Sequence, residues 1–343
     1  MKTGYVYDPI YLKHDTGNHV ENALRLEAIV SHLEQSGLTE KLTAINPRPA
    51  TVEELSLVHQ EQHIRYVEEV TERGGGWLDG DTVTSSGSYQ AALYASGGVI
   101  AAMEAVINGE VDNTFALVRP PGHHATARRA MGFCLFNNVA VAAKNALDKF
   151  GLKRIVVIDF DVHHGNGTQE IFYNNPNVLY LSTHLSPFYP GTGSIDENGS
   201  GEARGSTVNV PLPAGCGDIE YAQVFEQIIV PVTVRFQPQF ILVSAGYDPH
   251  WADELALMQV SVTGFARMVT TITELADKLC GGRLVVSLEG GYNLTALAAS
   301  VKATFDVLLG ETAIEDPLGQ PPYQTTARDI TSLVNSVKEI HDL

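Results

Sequence analysis

Five short runs of apolar, mostly β-branched residues punctuate the chain: 114–118 (TFALV), 154–160 (RIVVIDF), 178–182 (VLYLS), 240–244 (FILVS) and 284–288 (LVVSL). Runs of this length that are apolar on both faces read as buried strands of a parallel sheet. Between them lie Ala- and Leu-rich stretches at 87–107, 137–149, 219–236 and 263–279, long enough for helices. Strand alternating with helix predicts βαβ units and one layered α/β domain over 1–343, a central parallel sheet flanked by helices. Glycines and histidines cluster just after the strands. In open α/β sheets the ligand site lies at the carboxyl ends of strands, so chemistry is expected in those segments. Two glycine-rich stretches, 73–77 (RGGGW) and 191–201 (GTGSIDENGSG), match no phosphate loop. Both are read as surface loops, the second bordering a pocket.

Composition narrows the function classes. With 44% hydrophobic and 18% charged residues over 343 positions, the chain builds a large core and is not disordered. Its formal net charge of −18 repels nucleic-acid backbones and anionic lipid, so neither is expected as a direct partner. Such a surface suits a cationic substrate, a lysine-rich peptide or a polyamine, although acidity also serves solubility alone. Cys134, Cys216 and Cys280 are far apart and form no CxxC pair, the pattern of reduced core thiols. The first residues lack the apolar stretch of a secretory signal, and no uninterrupted apolar window has the length of a membrane span. A cytoplasmic protein is expected.

Three post-strand segments carry candidate chemistry. In 159–167 (DFDVHHGNG), an extended backbone points Asp159, Asp161 and His163 to one face. Two carboxylates and an imidazole converging at a strand end are costly without a cation or strong hydrogen bonds. Zinc accepts this mix of oxygen and nitrogen ligands, and a catalytic site keeps one position open. Asp248, in SAGYDP after another apolar run, is the natural third ligand. In 119–125 (RPPGHHA), His123 and His124 can act as an acid/base pair if given partners, which Asp159 and Asn166 can supply; the motif alone fits a loop pair without a role equally well. A carboxylate raises the pKa of its histidine, whereas an amide leaves its histidine nearer neutral. In 287–292 (SLEGGY), paired glycines permit unusual backbone torsions that can swing Tyr292 over a pocket, where a phenol can donate to a developing oxyanion, although this motif alone reads more simply as a turn followed by a packed aromatic.

Taken together, RPPGHHA, GFCLFNN, DFDVHHGNGTQEIF, SAGYD and LEGGY occur in an order that resembles the zinc-dependent histone deacetylase and acetylpolyamine amidohydrolase superfamily. The resemblance runs from about His14 to about Tyr292. It implies an arginase-like α/β fold and hydrolysis of Nε-acyl amides, with zinc on Asp161, His163 and Asp248. It also implies His123 and His124 as the acid/base pair, backed by Asp159 and Asn166, and Tyr292 on the substrate carbonyl. Gly132, Phe133 and Tyr189 would line the channel for the lysine stem, and Asp81 would grip substrate amides at the rim. Arg25 would stand at the inner end of the cavity. Structural potassium would sit on backbone carbonyls of Asp159, Asp161, His163 and Ser182, with a second ion near Phe172 and Val178.

Asn166 after HHG, and the FYPGTG loop from Phe188, resemble bacterial class II-like histone deacetylase-like amidohydrolases. Tyr292 stands where weakly active animal relatives carry His. The chain departs at Val20, where HVE replaces the usual HPE. The expected substrate is an acyl-lysine protein or peptide, with an acetylpolyamine as the alternative. A non-catalytic acyl-lysine binding module is the reading that intact catalytic positions argue against. An arginase-type site would need more Asp and His than these motifs hold. Asp/His/Asp tolerates iron as well as zinc, and a homo-oligomer is left open.

Overall fold

The apolar runs become neighbouring strands of one eight-stranded, all-parallel sheet. The computed structural model describes residues 1–322 and 327–343. In chain order the strands are β1 (Thr3–Val6), β2 (Thr43–Ile45), β3 (Gly75–Trp77), β4 (Val83–Ser85) and β5 (Asn113–Ala116). They continue as β6 (Ile155–Asp159), β7 (Val178–Leu185), β8 (Thr207–Leu212), β9 (Phe240–Ala245) and β10 (Leu284–Leu288). The main sheet has the order β2-β1-β5-β10-β9-β6-β7-β8, and β3 and β4 form a separate antiparallel hairpin. Every residue of β5, β6, β9 and β10 is buried because helices cover both faces, and these strands are accordingly mostly apolar. Each Val, Leu or Ile side chain so enclosed contributes about 1.5–3 kcal/mol.

The helices are α1 (Leu24–Gln35), α2 (Val52–Ser56), α3 (Glu61–Glu72), α4 (Ser88–Ile107), α5 (Asn138–Lys149) and α6 (Asn166–Phe172). After them come α7 (Asp218–Val224), α8 (Val230–Phe236), α9 (Val262–Cys280), α10 (Leu294–Leu308) and α11 (Thr331–Ile340). Helices α4 and α5 pack together in one layer, and α1, α10 and α9 pack in series in another. Side-chain caps start several of them: Asn137 accepts from Ala140 N, Ser261 from Gly264 N and Asn293 from Ala296 N.

The structure corrects four expectations. The stretch 219–236 is not one regular helix. A π-turn over Phe225–Ile229 separates α7 from α8, next to Pro231, whose missing N–H cannot join an α-helical ladder. The segment 73–77 is not wholly loop, because Gly75–Trp77 forms β3. Strands β1, β2 and β8 escaped the apolar-run criterion. Strand β2 has three residues at a half-exposed edge, and β8 is an edge strand interrupted by Asn209 and Pro211, where proline is tolerated. Finally, α4 is long and apolar enough by length and composition to cross a bilayer, which a search for uninterrupted apolar runs overlooks. Here it is a core helix, with 72% of its most apolar window buried.

Candidate metal and active site

Four strands adjacent in the sheet, β5, β10, β9 and β6, deliver the four segments that the sequence singled out. Their registers align Ala116 with Ser287, Ser287 with Ser244, and Ser244 with Asp159. Each chain therefore leaves the sheet at one level, and RPPGHH, LEGGY, SAGYD and DxDxHH converge over its carboxyl edge.

Asp161, His163 and Asp248 each offer a ligand atom, all within 4.8 Å of one another. His163 Nδ1 lies 3.0 Å from Asp161 Oδ1 and 3.1 Å from Asp248 Oδ2. All three side chains are buried or nearly so. Among the described residues Asp248 Oδ2 has the close approach of His163 Nδ1 but no well-aligned hydrogen-bond donor. Burial and then the charge of Asp161 push Asp248 up to about 7. Burial would lower His163, but the hydrogen bond to Asp161 and the Asp248 carboxylate close beside it outweigh that and push the imidazole up to about 10. The cluster thus demands positive charge at this point, and its oxygen-and-nitrogen donor set fits zinc. Gly246 and Gly290 make room for it, because a Cβ at either would run into the Asp161 carboxylate, and at Gly290 into that of Asp248 as well.

The histidine pair differs in its supports. His123 Nδ1 is 3.1 Å from Asp159 Oδ2, which also accepts from the Tyr180 hydroxyl at 3.0 Å. His124 Nδ1 donates to Asn166 Oδ1 at 2.8 Å. Burial lowers both imidazoles. For His123 the carboxylates of Asp159 and Asp161 override it and raise the group to about 10. For His124 burial wins, reinforced by the charges of His123 and His163, and holds it well below the ordinary value.

Tyr292 lines the same cavity, and its hydroxyl makes no hydrogen bond among the described residues. Burial raises its pKa well above the ordinary phenol, so it stays a proton donor. The sequence reading missed what holds this segment. Glu289 is fully buried, and its Oε2 accepts from Gly122 N at 2.6 Å and His123 N at 3.1 Å, tying the LEGGY loop to the histidine loop. Arg25 is fully buried, behind the Tyr292 segment, and is not among the residues lining this cavity. Its Nε and Nη2 donate to the carbonyls of Gly291 and Glu289 at 2.6 Å each, Nη1 pairs with Glu21 at 3.2 Å, and the guanidinium lies 5.0 Å from the Tyr292 ring centroid. It supports the loop from behind. Glu21 also takes a two-pronged contact from the buried Arg119, at 2.6 and 3.0 Å.

The cavity measures about 210 Å³ and is walled by Phe133, Phe188, Tyr189, Leu255 and Gly132, with Asp81 among its lining residues. Phe188 stacks on His163 with ring centroids 5.3 Å apart, and Tyr189 meets His124 edge-on at 5.2 Å. Gly132 and Phe133 both adopt left-handed torsions, φ 55 and 69. For Phe133 that is a strained state, held by Asp81 Oδ1 accepting from Gly132 N at 3.2 Å and Thr82 Oγ1 accepting from Phe133 N at 3.1 Å. Val20 is 44% exposed and does not line the cavity, although its neighbour His19 packs on Phe133 at 4.6 Å. A larger groove of about 880 Å³ lies elsewhere, near Arg204, Arg235 and His341, and contains none of these residues.

The residues expected around potassium separate into two places. Asp159 and Ser182 are register partners on β6 and β7, beside Asp161 and His163, whose carbonyls accept no hydrogen bond among the described residues. Val178 opens β7 at the opposite edge of the sheet, close in sequence to Phe172, whose carbonyl accepts from Asn175 N at 2.8 Å.

Comparison with known proteins identifies the family and the fold. The family described as histone deacetylase domain matches residues 19–308. The chain is 42% identical over 351 residues to histone deacetylase 14, chloroplastic, of Arabidopsis thaliana, covering 97% of this chain and 83% of that protein. It is 41% identical over 355 residues to a probable deacetylase of Archaeoglobus fulgidus, covering 100% and 97%. It is 40% identical over 302 residues to a histone deacetylase-like amidohydrolase of Pseudomonas aeruginosa, covering 88% and 80%. The crystal structure of an HDA15 HD domain superposes with a TM-score of 0.89 at 39% identity, covering 99% of this chain and 94% of that one.

Proposed function

This chain belongs to the histone deacetylase family and is a hydrolase of that family, and from that premise we propose that it removes acyl groups from the Nε atom of lysine side chains. One observation carries the reading: Tyr292, the two supported histidines and His163 of the Asp161–His163–Asp248 cluster line a single small cavity with aromatic walls. Asp161, His163 and Asp248 would hold zinc, which when bound supplies a Lewis acid for the acyl oxygen and an activated water.

The chain's own residues do the rest. Phe133, Phe188 and Tyr189 pack the methylene stem and keep bulk water out. Asn166 fixes the proton on His124 Nδ1, which leaves Nε2 as the acceptor for a water proton. Asp159 keeps His123 cationic beside it, which favours charge building up on the acyl oxygen. The leaving amine is protonated from the same pair. Tyr292, as a neutral phenol, donates a hydrogen bond to the carbonyl oxygen as that oxygen becomes anionic. Potassium on the free carbonyls of Asp161 and His163 would steady the ligand strand.

The test is Tyr292→Phe assayed on an acetyl-lysine peptide alongside zinc content. Zinc should be retained and kcat should fall by about 100-fold or more, as for loss of an oxyanion donor. Near-normal turnover removes Tyr292 from the mechanism. A parallel panel of longer acyl-lysine peptides and acetylated polyamines tests the substrate class. Preference for polyamines would replace the protein-deacylase reading, and a zinc-loaded protein inert to every member would point to a binding module.

A further inference from the structure

We propose that Asp253 is the positioning residue for Tyr292, a role that rests on the reading of Tyr292 as the carbonyl donor. Asp253 stands in the loop after β9, five residues past Asp248, and is 4% exposed. Its Oδ2 accepts from Tyr292 N at 2.6 Å and Asn293 N at 3.0 Å, and its Oδ1 accepts from Leu255 N at 3.0 Å. Asn293 answers across the same gap, donating from Nδ2 to Ala252 O at 2.9 Å while its Oδ1 caps α10 through Ala296 N.

Two features show why an outside anchor is needed at this point. Gly290 and Gly291 precede the tyrosine, and Gly291 sits at φ 113, so the local backbone does not dictate where Tyr292 points. Arg25 fastens only the carbonyls of Glu289 and Gly291, leaving the amides of 292 and 293 to Asp253. The Asp253 carboxylate also makes no ion pair among the described residues, so three backbone amides are its hydrogen-bond donors. Burial raises the Asp253 carboxyl above its ordinary value, and the three amides oppose that by favouring the charged form. One of those amides belongs to Leu255, which lines the cavity. A single side chain therefore sets both the donor and the wall it faces.

The experiment is a double-mutant cycle on the zinc-loaded, full chain, with kcat, KM, zinc stoichiometry and thermal midpoint measured for Asp253→Ala, Asp253→Asn, Tyr292→Phe and the Asp253→Ala/Tyr292→Phe double variant. Asp253→Ala should keep its zinc and lower kcat by about 100-fold, the scale of an ångström-level misplacement of a reacting group, with KM changing much less. Asp253→Asn should fall between. Its carbonyl oxygen retains the bonds to 292 and 293, but its NH₂ meets the Leu255 N–H. In the Tyr292→Phe background, Asp253→Ala should cost less than about threefold more, because the group it positions is gone. An equal cost in both backgrounds, or zinc loss, overturns the inference and leaves the Tyr292 reading standing. Near-normal activity of Tyr292→Phe overturns both. If Asp253→Ala does not fold, the same cycle run with Asp253→Asn decides between these outcomes.

Discussion

Asn166 is the position where one atom's change in charge should be readable in a rate. Its Oδ1 sits 2.8 Å from His124 Nδ1, and His124 is held well below an ordinary imidazole by burial and by the charges of His123 and His163. Asn166→Asp places a carboxylate at that atom with almost no change in shape. Two unit charges about 4 Å apart interact by about 4 kcal/mol at an effective dielectric near 20. That corresponds to about 3 pKa units at 1.36 kcal/mol each, and neighbouring carboxylates move histidines by about 1–3 units in practice. The sign follows directly. A carboxylate stabilises the imidazolium, the proton leaves at higher pH, and a base must be deprotonated to act. The acid limb of kcat/KM for an acetyl-lysine peptide should therefore move up by about 1–3 units in Asn166→Asp, with activity recovering at alkaline pH. Bound zinc lowers the limb in both proteins, so the difference between them survives. Asn166→Ala removes the acceptor without adding charge and should not raise the limb. An Asn166→Asp limb that stays within about 0.3 unit of the parent, or moves down, refutes His124 as the proton acceptor.

Two further outcomes follow from the buried charges. Glu21 pairs with Arg119 and Arg25 in a fully buried cluster, so Glu21→Gln leaves two guanidinium groups short of a counter-charge and should lower stability by about 3–5 kcal/mol in urea unfolding. Burial raises the Glu21 carboxyl, but Arg119 and then His14 outweigh it and hold it far below its unfolded value of 4.5. The difference between parent and Glu21→Gln should therefore be constant above about pH 5 and shrink as the pH falls below 4.5; a gap that persists into strong acid would contradict the pairing. Asp248→Ala removes one of three ligand side chains, so zinc affinity measured by chelator competition should weaken by more than about 100-fold, beyond what loss of an outer-shell partner costs. Unchanged affinity would mean that Asp248 is not a ligand.

The sheet's centre was legible in the sequence because strands buried on both faces must be apolar at every position. Strands β6, β9 and β10 meet that condition except for Asp159, Ser244 and Ser287 near their carboxyl ends. Its margins were not, since β8 tolerates Asn209 and Pro211 at an edge and β2 is only three residues long. The ligand and histidine motifs were legible for a related reason. Polar residues crowded immediately after apolar strands have no cheap structural explanation. Residues that act through backbone atoms were not. Asp253 and Glu289 resemble any loop carboxylate until the fold brings amides from a different strand's loop against them. Arg25 could be picked out after HVENAL, but not its partners, since its donors go to Glu21 and to the carbonyls behind Tyr292.

Charge balance explains why these motifs must travel together. Asp159, Asp161, Asp248 and Glu289 are four buried carboxylates set around one centre, and among the described residues only His123 and His163 are drawn to the cationic side against them. Asp248 and Glu289 are both pushed up to about 7, in each case by burial first, while Asp161, with backbone amides from His163 and Gly290 and the charges of His123 and His163 around it, is held low. A dication among Asp161, His163 and Asp248 would relieve that deficit at the point where it is greatest, and would free His163 from carrying a proton. Glu289 is too far from that role to be a ligand, because both of its oxygens are committed, to Gly122 and His123 amides and to the Ser244 hydroxyl. Its charge instead adds to that of Asp159 in keeping His123 cationic, while Asn166, which brings no charge, leaves His124 free to change protonation. The two histidines are adjacent in sequence and shift in opposite directions because one faces carboxylates and the other an amide.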